Sequence, residues 1–170
     1  MVKDSYIKKE KSFPLFERRR RFVVVVDDSK ESSAALRFAS ARAAHTPGGR
    51  LVLFHILKPS EFGHWMAVED RMREEKYEEA EELLRGISSK VFEYCGGHPE
   101  VVIREGQPQD ELQKFIEEEE DLFALFLGAS SEGDPGPLVN KFSGPLVGLL
   151  KCPVVIVPGC LEDEDIDHMA

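Results

Sequence analysis

Residues 122–159 read LFALFLGASSEGDPGPLVNKFSGPLVGLLKCPVVIVPG. An apolar run ends at Gly128, and a loop of small and turn-forming residues follows it. A short helical segment comes next, then a second apolar run over residues 154–157. A buried strand, a glycine-rich loop and a helix start are a common way to hold a phosphate, because free backbone N–H groups point out of such a loop.

Upstream, the chain alternates between two periods. Residues 22–26 form a continuous β-branched run, as expected of a strand covered on both faces. Asp28-Ser-Lys-Glu31 follows and reads as a capping box, with Asp28 accepting from first-turn N–H groups and Glu31 reaching back. Ala34, Ala35, Phe38 and Ala39 continue as a small-residue helix suited to lie close to a sheet, and Thr46-Pro-Gly-Gly stops it. Residues 51–57 are the second buried strand. From about Met66 to Tyr94 the period is helical: Tyr77, Ala80, Leu84, Ile87 and Val91 share one face, and glutamates fill the other. Residues 101–104 make a third strand, and Leu112, Phe115 and Ile116 mark an amphipathic helix after Gly106 and Pro108. Residues 122–127 and 154–157 are strands four and five.

This β-α-β-α-β-α-β-α-β order predicts one parallel five-stranded sheet of order 3-2-1-4-5 with helices on both faces. In such sheets ligands bind at the carboxyl ends of the strands, where the strand order switches. The residues predicted there are Asp27 and Asp28, residues 56–58, Gly106 and the loop after Gly128.

The 170 residues carry 42 % hydrophobic and 32 % charged side chains, enough for one domain with a real core. The formal net charge of −10 argues against nucleic acid and anionic membrane surfaces, both polyanions. No apolar run approaches the ~20 residues that span a bilayer. Cys95, Cys152 and Cys160 show neither close pairing nor metal-ligand spacing, which fits a reducing cytoplasm. Residues 1–19 form a basic arm, with Lys3, Lys8, Lys9, Lys11, Arg18 and Arg19, read as solvated chain ahead of a buried strand. Residues 160–170 are acidic and read as a soluble tail or a short peripheral turn.

Residues 20–159 resemble the universal stress proteins. Three segments carry the likeness: VVVVDDSKESSAALRFA at 23–39, VLFHIL at 52–57, and LFLGAS joined to KCPVVIVPG. The resemblance implies a Rossmann-like, doubly wound α/β domain and a cytoplasmic stress-response protein. It also implies a homodimer formed through the last strand, residues 154–157, and action on a protein partner. The family includes members that bind ATP or AMP and members that do not. Binders carry G-x-x-G, nine residues, then G-S or G-T. Here Gly128 matches the first glycine, but Ser131 stands at the second. With two extra loop residues Gly133 becomes the second glycine, and Ser143-Gly144 closes the motif in reversed order. Asp134, Pro135 and Pro137 also enter the loop; proline removes an N–H, and the aspartate repels an anion.

If an adenine nucleotide binds, the base is expected by Ile56. Ribose, or Mg²⁺ accompanying ATP, is expected by Asp27. The phosphates are expected near Gly128, Ser130, Ser131, Gly133, Ser143 and Gly144, more weakly than with the full motif. The competing readings are slow Mg-dependent ATP hydrolysis and a ligand-free interaction module. A phosphoacceptor receiver would also carry an acidic pair after strand one. It needs an aspartate ending strand three, where Arg104-Glu105-Gly106 stands, and a lysine after strand five, where Pro158-Gly159 stands. His55 reads as a hydrogen-bonded packing histidine, and His64 and Trp65 as a cluster in the loop after strand two. No Ser-His-Asp order or Cys-His pair points to a hydrolase.

Overall fold

Five apolar runs become five parallel strands, and the amphipathic stretches between them become the crossovers. The computed structural model describes residues 20–59 and 66–170. The basic arm and the His64–Trp65 pair lie outside them. The strands are β1 (Arg20–Val25), β2 (Gly49–Leu57), β3 (Glu100–Glu105), β4 (Leu122–Ala129) and β5 (Val154–Pro158). The helices are α1 (Lys30–Ala44), α2 (Met66–Cys95), α3 (Pro108–Glu118), α4 (Pro137–Ser143) and α5 (Asp163–Met169). The order is β3-β2-β1-β4-β5, with every neighbouring pair parallel. This is the doubly wound α/β sheet expected from the alternation, and its order reverses between β1 and β4.

The central strand is dry on both sides. Val23 and Val24 point to opposite faces, and both are wholly buried. On one face Phe22, Val24, Val26 and Phe126 pack with the alanines of α1 and with Leu84, Ile87 and Val91 of α2. On the other, Val23, Phe54, Leu125 and Leu127 pack with Leu112, Phe115 and Ile116 of α3 and with Val139 and Phe142 of α4.

Helix α1 lies against the sheet at backbone distance. A Cβ on Gly128 would overlap the Glu31 carbonyl and lie 2.9 Å from the Ser32 nitrogen. One on Gly159 would lie 2.7 Å from Glu31 Cβ and 3.0 Å from the Ala129 oxygen. Both glycines are therefore required by the close approach of the first turn of α1.

The first turn is capped one residue later than the Asp28–Glu31 pattern predicts. Ser29 is the N-cap, and its Oγ accepts from Ser32 N at 3.2 Å. Ser32 Oγ in turn accepts from Asp27 N at 2.9 Å, and Asp27 Oδ1 accepts from Ser29 N at 2.9 Å. These three bonds close the β1–α1 loop on itself and leave Asp28 exposed.

The acidic segment after residue 159 is not a tail along its whole length, since it carries α5. Ile166 is wholly buried in the cluster beneath α1 and α2. Arg37 of α1 holds α5 from outside, at 2.7 Å from Asp167 and 3.1 Å from Asp163, and lies 4.9 Å from the Tyr94 ring centroid. The charge-rich composition hides one wholly buried anchor, Ile166, with Leu161 packed against the same cluster. At the amino end of the sheet Arg21 of β1 bridges Glu100, at 2.6 Å, and Glu119.

Candidate functional site

The carboxyl ends of β1, β2 and β4 surround a cleft of about 360 Å³. Its size is at the small end for ligand pockets, which run from roughly 300 to 1,000 Å³. It lies where the strand order reverses, as the topology requires. Val25, Val26, Ile56, Leu127, Leu138 and Val139 give it apolar walls. Its polar rim comes from Asp27, Asp28, Ser29, Glu31, Ser32, His55 and Lys58. Pro108, Gly128 and the loop residues Pro135, Gly136 and Pro137 complete it.

Each wall follows from a local feature already described. The Ser29–Ser32 cap fixes the β1–α1 loop, so Asp27 and Asp28 stand at the mouth. His55 Nδ1 lies 2.7 Å from the Val26 carbonyl. Since a carbonyl can only accept, that nitrogen carries the proton and ties β2 to the end of β1. This is the packing role expected of His55, and the structure adds that its ring borders the cleft. Gly106 N donates to Leu57 O at 3.0 Å, which turns the chain so that Pro108, not Gly106, reaches the cleft.

The loop after β4 is where the structure departs most from a simple phosphate cradle. Asp134 Oδ1 accepts from Gly136 N at 3.0 Å and from Asn140 Nδ2 at 2.8 Å. Those two donors hold the Asp134 carboxyl below its usual value, the Gly136 amide contributing most. Ser130 N donates to Pro135 O at 3.3 Å, and Ser130 Oγ accepts from Glu132 N at 3.3 Å. Gly133 and Gly136 supply the positive φ angles, 92° and 105°, that this closed turn needs. From α3, Gln109 Nε2 donates to the Pro137 carbonyl at 3.0 Å, and Lys141 Nζ lies 3.1 Å from Asp110.

Of the residues singled out by sequence, Asp27, Ile56 and Gly128 come together on the cleft. Ser130, Ser131, Gly133, Ser143 and Gly144 do not line it. Ser143 Oγ donates to Val139 O at 2.7 Å, so its hydroxyl is spent inside α4. A Cβ on Gly144 would lie 3.0 Å from the Asn140 carbonyl, so that glycine serves the end of α4. Asp28 and Lys58, also expected at this end of the sheet, line the cleft too, whereas sequence reasoning missed Ser29, Ser32, Gly136, Leu138 and Val139. The signal for Ser29 is its own N-cap preference, one residue inside the Asp28–Glu31 pattern. Among the described residues no group of three or more His, Cys, Asp or Glu side chains is gathered to hold a metal ion. Nor, among them, is any helix long and apolar enough to cross a membrane.

A doubly wound sheet with a cleft at its switch point defines a Rossmann-like α/β protein. The sequence profile of the universal stress protein family matches residues 18–158, and the chain belongs to that family. No curated protein matches it. Among solved structures it is similar to the universal stress protein UspA from Lactobacillus plantarum, at 17 % identity and TM-score 0.62, over 82 % of this chain and 98 % of that one. It is similar also to the universal stress protein from Archaeoglobus fulgidus in complex with dAMP, at 23 % identity and TM-score 0.55, over 81 % and 97 % of the two chains. A universal stress protein in complex with cAMP is similar at 20 % identity and TM-score 0.53, over 81 % and 96 %. At these identities the likeness is one of fold. Helix α5 lies beyond the residues that the family profile matches.

Proposed function

We propose that this universal stress protein is a cytoplasmic regulatory or protective factor. It acts as a homodimer on a protein partner and is gated by an adenine nucleotide in the β1–β4 cleft. The observation that carries this reading is the cleft itself, which brings Asp27, Ile56 and Gly128 from three strands to one switch point. The base stacks against the apolar wall near Ile56, and the ribose hydroxyls meet Asp27. The relatives solved with dAMP and cAMP support adenine as the base. Were Mg²⁺ to accompany ATP, Asp27 would be the residue to hold it, and the ion would neutralise phosphate charge there.

The dimer forms through β5. Among the described residues that strand pairs only with β4, and Ile156 on it is 39 % exposed. An open edge with an apolar side chain recruits another strand.

Mass spectrometry of the freshly purified, denatured protein tests the reading. An adenine nucleotide or nucleoside is expected to be released. Absence of any retained compound, together with no heat on titrating millimolar AMP or ATP, would leave the ligand-free interaction module as the better account. Phosphate release, measured with Mg²⁺ and ATP, separates a gate from a slow hydrolase.

A further inference from the structure

Three loop residues line the end of the cleft beside Gly128: Pro135, Gly136 and Pro137. The two prolines have no N–H. The Gly136 N–H is already donated to Asp134 Oδ1 at 3.0 Å. Among these three residues no backbone N–H is uncommitted, and a carboxylate is already seated on the one N–H they have. To use that N–H a phosphate must displace Asp134, which Asn140 also holds, at 2.8 Å.

The charges on the rim point the same way. Asp27, Asp28 and Glu31 face the cleft, and among the described lining residues Lys58 is the lysine or arginine that answers them. One ammonium can offset much of the charge of a single phosphate group, about −1.5 to −2 near neutral pH, but not of two or three. A triphosphate adds several negative charges beside three carboxylates, a like-charge cost that falls only as far as water and salt screen it. The volume, about 360 Å³, also suits a ligand with a short polar extension.

We infer that the cleft takes an adenine nucleoside carrying at most one phosphate, and that Asp134 is the residue that excludes polyphosphates by occupying the Gly136 N–H. The inference rests on the adenine reading above. Asp134 acts here as a built-in anion that competes with the ligand's own.

Two substitutions separate its charge from its hydrogen bonds. Asp134→Asn keeps an oxygen that can accept from Gly136 and Asn140 but removes the charge. Asp134→Ala removes both and frees the Gly136 N–H. Calorimetric titration of the whole chain with adenosine, AMP and ATP, each with and without Mg²⁺, is the test. Wild type is expected to bind adenosine and AMP with similar affinity and ATP at least about tenfold more weakly, since a hydrogen bond to a charged group is worth about that much or more. Both variants are expected to narrow the gap between AMP and ATP, with adenosine affinity unchanged. ATP binding to wild type as tightly as AMP, or an AMP-to-ATP ratio unmoved by either substitution, overturns the inference while the adenine reading stands. No binding of any of the three to wild type or variants overturns both.

Discussion

At the scale of single residues, Gly128 shows how one glycine can carry two readings. The loop after β4 invites a phosphate explanation, in which a side chain would fill space the ligand needs. The structure places the Glu31 carbonyl there instead. Gly128→Val is therefore expected to destabilise the protein by on the order of 3 kcal/mol, with no nucleotide present, because a backbone atom cannot move aside as a side chain can. The measurement is the urea midpoint of the apo protein. A variant as stable as wild type that had lost only nucleotide binding would return the space to the ligand. The cap of α1 is a second case. Ser29→Ala is expected to cost about 1 kcal/mol, whereas Asp28→Ala should change stability by less than ~0.5 kcal/mol, as at an ordinary surface position. The reverse ranking would restore the Asp28 frame. The Ser29 frame was not legible because the capping-box pattern asks for Glu or Gln three residues on, which Asp28 has in Glu31 and Ser29 does not. The choice between the two frames is made by the Ser32 hydroxyl accepting from Asp27 N, a contact that depends on where β1 ends.

Among elements, the five strands are legible and α5 is not. Each strand begins within two residues of its apolar run, since a run buried on both faces has few other places to go. Helix α5 is hidden because its only wholly buried side chain is Ile166, set among acidic residues that dominate the composition. Ile166→Ala is expected to cost about 3 kcal/mol as a buried cavity, read from chemical denaturation. A cost near zero would mean that α5 is a loose appendage. The Arg37 clamp adds a pH dependence whose sign can be worked out. The hydrogen bond from Arg37 depresses the Asp167 carboxyl below its ordinary value, near pH 4. A group depressed in the folded state contributes stability that is present above that ordinary value and is lost as the pH falls through the depressed one. Comparing wild type with Arg37→Met, the difference in melting temperature should be full at pH 6 and should shrink below about pH 4. A difference that stayed constant into acid would assign Arg37 to packing on Tyr94 alone.

For the molecule as a whole, the order of the strands and the place of the cleft follow from alternation and topology, which is why both are legible in the sequence. The inner surface of the cleft is not. It depends on which donors the loop keeps for itself, and the Asp134 bonds to Gly136 and Asn140 span two and six residues of a turn with no periodic signature. The β5 edge needs a similar refinement. Val155 packs against the α1 side of the core, while Ile156 is exposed. Ile156→Lys is therefore expected to yield a stable monomer, and Val155→Lys a poorly folded chain; light scattering with thermal melting at micromolar concentration distinguishes them. A wild type that runs as a monomer sinks the dimer. One feature joins the two halves of this picture. Glu31 touches both Gly128 and Gly159, which stand at the end of β4 and just past β5, so the cleft mouth and the open edge meet at one backbone joint. A joint without side-chain slack transmits displacement in either direction. If the cleft holds a nucleoside and the edge a second copy of the chain, the two events are reciprocal: whatever factor the nucleoside changes in the subunit dissociation constant, dimerisation returns in nucleoside affinity.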